Sequence, residues 1–162
     1  VSAAAGNDAL LPTSWRARPR GFAALMSLYE SNYLRLTQLT GDPARLSGER
    51  LSQVSGGCDL KLAVLEQCPY TTTLGLTHLF RDPQAVGDGL ATFLSYPDVR
   101  IRVYGDARMA QAQHWPADRP EPYGRLPKQA ERELEHRWLH NIMLNKWLEY
   151  CLELGHSLAA PG

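Results

Sequence analysis

Apolar residues recur along this chain at two periods, and the switch between them marks out its segments. From Gly21 to Leu39, Phe22, Leu25, Met26, Tyr29, Tyr33, Leu36 and Leu39 return at spacings of three and four, which predicts an amphipathic helix. Thr40-Gly41-Asp42-Pro43 supplies the breakers that end it. The period then falls to two. Asp59 to Gln67 sets Leu60, Leu62 and Val64 against Lys61, Ala63 and Leu65. Thr71 to Phe80 sends Thr72, Leu74, Leu76, His78 and Phe80 one way. Its other row, Thr71, Thr73, Gly75 and Thr77, is small enough to lie beneath a packed helix or an incoming ligand. Val99, Ile101 and Val103 alternate with Arg100, Arg102 and Tyr104, and Gly105-Asp106 reads as a two-residue hairpin turn into Ala107 to His114. Arg45 to Val54 is a fainter strand pattern, and Leu90 to Tyr96 fits either a short strand or a helical turn.

The helical period returns in Lys128 to Gly155, the longest pattern in the chain. From Trp138 onward it is apolar on nearly every side. Trp138, Ile142, Leu144, Leu148, Cys151 and Leu152 form one face; Leu139, Met143, Trp147, Tyr150 and Leu154 form another. Only Lys146, Glu149 and Glu153 make a polar wedge. Such a helix is expected to have the rest of the domain wrapped against it. Between these segments, Arg81 to Gly89 reads as a loop and Trp115 to Pro127, with its prolines, as an extended linker. Residues 1–14 read as a disordered tail, 15–157 as one domain and 158–162 as a second tail. Helix, four or five strands joined by short connections, then a long helix predicts an α+β fold, with an antiparallel meander and a largely buried C-terminal helix.

Composition narrows the partners. Seventeen basic and seventeen acidic residues balance, so no bulk charge favours nucleic acid or an anionic membrane. No apolar run reaches the roughly 18 residues of a membrane helix, and the start lacks the lead-in of a secretory signal. Cys58, Cys68 and Cys151 are odd in number and widely spaced, which favours a reducing cytoplasm over a disulfide framework.

Three sets of residues carry candidate chemistry. Arg100, Arg102 and Tyr104 share one strand face, and Arg108 on the following strand is positioned to join them. With Tyr70 and Asp106 they would make a platform for a phosphate or a stacked base; a solvated outer face that discourages edge pairing is the plainer reading. Asp106 itself suits the turn better than it suits a general base, since no partner is visible for it. Glu133, His136 and His140 fall on one helix face at spacings of three and four, a two-histidine, one-carboxylate metal set, though no HExxH pattern accompanies them. Nucleophile and phosphate-loop motifs are absent: the chain has no GxSxG, GxxxxGK[ST] or GxGxxG, and Cys151 sits on the apolar side of its helix. No cofactor is called for.

Four stretches together resemble the YqiB-like proteins, a bacterial family of unknown function. They are Leu25 to Tyr33, Tyr70 to Leu74, Val99 to Ala110, and Asn141 with Trp147 to Gly155. The resemblance implies a small cytoplasmic protein without an assigned reaction, so it transfers no catalytic residue. It also implies a histidine before the hairpin Asp, where this chain has Gly105, and a Gln-x-Asp-Glu-Lys opening of the long helix, echoed only loosely by Glu133 to Arg137. The first expectation is therefore a non-enzymatic module that binds a protein or small ligand through its sheet face or beside the long helix. The alternatives are a receptor for a phosphorylated nucleotide or second messenger, held by the arginine face, and a metal-dependent hydrolase.

Overall fold

The computed structural model of the chain describes residues 21–81, 93–114 and 126–159. The expected N-terminal tail, most of the Arg81–Gly89 loop and most of the Trp115–Pro127 linker lie outside those residues. Helix α1 (Phe22–Thr40) leads through a 3-10 turn (Pro43–Arg45) to strands β1 (Glu49–Ser52), β2 (Asp59–Gln67), β3 (Thr71–Arg81), β4 (Phe93–Tyr104) and β5 (Met109–His114), and helix α2 (Leu126–Glu153) follows. Every strand pairs antiparallel with its neighbour in sequence, giving one five-stranded meander. The α+β expectation holds.

Local chemistry sets the boundaries. Gly41 ends α1 at φ 74°, a left-handed value open to glycine, and its N–H returns to the Thr37 carbonyl. Asp42 then accepts from the Ala44 N–H and Pro43 opens the 3-10 turn, which takes Arg45 out of the strand expected over Arg45–Val54; within that range only Glu49–Ser52 is strand. The undecided Leu90–Tyr96 stretch is strand from Phe93 onward. The hairpin turn is longer than expected: Tyr104 pairs with Met109, not Ala107, so Gly105 to Arg108 all belong to the turn.

Period-two alternation puts Leu60, Leu62, Leu74, Leu76, Val99, Ile101 and Val103 on one sheet face, where both helices cover them. The helices lie side by side and run the same way: Trp138 clusters with Leu25 and Tyr29, Asn145 reaches Asn32, and Glu149 reaches Arg35. The domain wraps α2 on one face only. Leu144, Leu148 and Cys151 are fully buried, whereas Leu139, Met143, Tyr150 and Leu154 remain exposed. Periodicity detects apolar faces but not whether a second layer exists to cover them.

A buried amide network joins the layers. Asn141 Oδ1 accepts from the Ala112 N–H at 2.9 Å and from Asn32 Nδ2 at 3.2 Å, while Asn141 Nδ2 donates to the Arg137 carbonyl. Asn32 Nδ2 also donates to the Ala110 carbonyl, and Asn145 Nδ2 donates to Asn32 Oδ1 and Ser31 Oγ. The edge of β5 is thus capped by helix side chains in place of a sixth strand. At the other edge, the segment after α2 crosses β1. The Ser157 N–H donates to Ser52 Oγ, Arg50 donates to the Leu158 carbonyl, the Leu158 N–H bonds to the Leu39 carbonyl, and Leu158 is buried.

Candidate functional site

With both helices on the inner face, nothing among the described elements covers the outer face of the sheet. Its centre is the small row of β3. Gly75 pairs with Ala63 on one side and Arg100 on the other, and Thr77 pairs with Lys61 and Asp98. Leu65, beside a bulge in β2, leans over Gly75, where an added Cβ would meet its Cδ1 at 3.5 Å. The result is a groove of about 800 Å³ floored by Ala63, Gly75 and Thr77, walled by Leu65 and Leu79, and rimmed by Lys61, Asp98, Arg100 and Gln113. That volume falls in the range of small-molecule sites.

The expected arginine platform divides. Arg100 is exposed at the groove rim and forms no ion pair among the described residues. Arg102 is half-buried one row away; it lies 3.9 Å from Glu66, and its Nε is buried without a partner among the described residues. The Tyr104 hydroxyl accepts from Gln111 Nε2 at 2.9 Å, so it is held within the sheet. Arg108, expected on the following strand, sits instead in the turn at φ 52°, because four residues rather than two reverse the chain. Lys61, absent from the expected platform, pairs with Glu49 at 3.1 Å.

Arg108 instead meets Tyr70 and Asp106 at the hairpin end, in a second groove of about 780 Å³ shared with Tyr33, Asp42, Gln67 and Cys68. Asp106 accepts from the Ala107 N–H at 2.9 Å, the turn role expected for it. Gly105 donates its N–H to the Tyr70 carbonyl and ties the two loop ends together.

Glu133, His136 and His140 line a third and smaller groove of about 310 Å³ with Gln111 and Arg137. The two imidazoles are 5.6 Å apart, but Glu133 Oε1 is engaged by Arg137 Nε at 2.8 Å. Among the described residues no group of three or more His, Cys, Asp or Glu is arranged to hold a metal ion.

Sequence reasoning missed a buried cluster beneath the inner face. His78 lies opposite the arginines, and Trp147 Nε1 donates to its Nδ1 at 3.1 Å. That bond leaves the ring proton on Nε2, which faces Cys151 Sγ at 3.7 Å. The imidazole is therefore no base for the thiol, and burial pushes the Cys151 thiol up to about 12. His156 lies 5.8 Å from His78 and shares a hydrogen bond with Ser52 through its Nδ1. Burial lowers the pKa of both imidazoles, and for His78 the neighbouring His156 adds to the effect. The arrangement is that of a packed core, not a nucleophile.

A family model described as Protein of unknown function (DUF1249) matches residues 35–157, from the C-terminal third of α1 to the segment after α2. No curated protein and no solved structure matches the chain. Among the described residues, no helix is long and apolar enough to cross a membrane.

Proposed function

The chain belongs to the DUF1249 family, whose description assigns no activity, and from that premise we propose that it is a non-enzymatic binding module for a small phosphorylated ligand. One observation carries the reading: among the described residues the small row of β3 lies beneath no helix and forms the floor of a groove, and the arginine at its rim has no ion pair. An apolar floor suits a planar ring, and Arg100 suits a phosphate. Kinship with the YqiB-like proteins is the finer form of the family assignment, and the three free cysteines favour a reducing, cytoplasmic setting.

A thermal-shift screen of phosphorylated nucleotides tests this. A ligand at 100 times its Kd adds about 2.7 kcal/mol, or roughly 5–10 °C for a domain of this size. Arg100→Ala is expected to fold normally and lose that shift; no shift with any phosphate compound, or an unchanged one in Arg100→Ala, overturns the proposal. The convergence of Tyr70, Asp106 and Arg108 favours a second reading, in which the hairpin-end groove takes the ligand. Loss of the shift in Arg108→Ala but not in Arg100→Ala selects it.

A further inference from the structure

We propose, resting on the reading of the sheet groove as the ligand site, that Asp98 makes it selective for a mononucleotide whose base carries an exocyclic amine, as adenine and cytosine do. Asp98 and Arg100 stand two residues apart on β4, with Val99 turned into the core between them. Alternation therefore sends both to the outer face, about 7 Å apart along the strand, and both line the groove. Each is exposed, and among the described residues neither forms a hydrogen bond or an ion pair. The neighbouring cations are engaged: Lys61 by Glu49 at 3.1 Å, and Arg102 by Glu66 at 3.9 Å. Asp98 and Arg100 are thus the two charges left to meet a ligand.

Register sets the two charges at different rows of the floor. Arg100 lies in the row of Ala63 and Gly75, and Asp98 in the row of Lys61 and Thr77. A planar ring resting on Ala63 and Gly75, with its phosphate at Arg100, has its edge within reach of Asp98 and Thr77. The carboxylate then decides what that edge can be. It accepts hydrogen bonds and donates none, so it favours an amine and repels a carbonyl in the same place. The same charge limits the phosphate. One free guanidinium suits a single phosphate, whereas a triphosphate brings further negative charge that no free cation meets and that Asp98 opposes.

Two pairs of probes exchange the amine for a carbonyl: cytidine against uridine monophosphate, and adenosine against inosine monophosphate. Calorimetric titration of the full chain is expected to show the amine-bearing member of each pair binding about tenfold tighter, the size of one hydrogen bond to a charged group. Cytidine triphosphate is expected to bind more weakly than the monophosphate. An Asn side chain can accept from an amine or donate to a carbonyl, so in Asp98→Asn each ratio is expected to fall to about one, with the triphosphate gaining. Equal affinities within either pair, a preference that survives in Asp98→Asn, or a triphosphate tighter than the monophosphate in the native chain overturns the role of Asp98 and leaves the groove reading standing. No binding of any of these nucleotides, with no thermal shift from other phosphate compounds, overturns the groove reading and the role of Asp98 together. The native-chain ratios stand whether or not the variant folds, and Asp98→Ser replaces it should circular dichroism show it unfolded.

Discussion

Asn141, like Asn32, uses both polar atoms of its side chain in the interior. Replacing it with Leu removes the acceptor of the Ala112 N–H and of one Asn32 bond. Asn141→Leu is expected to lower the unfolding free energy by about 3 kcal/mol, with an unchanged urea m-value. The buried imidazoles give a second test. Burial holds the pKa of His78 and His156 below the ordinary histidine value, to which the unfolded chain returns at ~6.5. Below that value the unfolded state binds protons that the folded state refuses, so stability is complete above it and falls as the solution is acidified toward the folded values. Urea midpoints are expected to drop between about pH 7.5 and about pH 5, and to drop less in a His78→Gln, His156→Gln variant. His78 was legible only through its place in the row of Leu74 and Leu76, and the other buried polar residues were not legible in the sequence. A pattern of apolar spacing counts Asn141, Asn145 and His156 as polar and leaves them outside, and only the packed layers supply the partners that let them in.

At the scale of elements, the inward rows of β2, β3 and β4 could be read directly from alternation, since a period of two fixes which residues share a face. The outer groove could not. Lys61, Gly75, Arg100 and Gln113 come from four strands and meet only through register, which turn length controls. Two further residues in the β4–β5 turn moved Arg108 from the sheet to the hairpin end, dividing one expected site into two grooves. The groove floor offers a test that separates stability from binding. A Cβ at Gly75 meets only ordinary contacts with Leu65, and a β-branched residue suits a strand. Gly75→Val is expected to melt at or above the native temperature while abolishing any ligand-induced shift. A variant that still binds would remove the sheet groove as the site.

For the whole molecule, the fold class was legible because a change of period separates helices from sheet, but the extent of the cover on α2 was not. The closure of the domain rests on the segment after α2, where Leu158 fills the core and bonds to the end of α1. Leu158→Ala is expected to cost about 2–3 kcal/mol in equilibrium unfolding, as for other buried leucines. That same contact has a consequence for how the chain is made. Leu39 leaves the ribosome long before Leu158 does, and at ~5–20 residues per second the wait is roughly 6–24 seconds. Through that interval the apolar face of α1 has no complete α2 to cover it, nor has the edge of β5 once it is made. The apolar core is complete only when Leu158 has emerged.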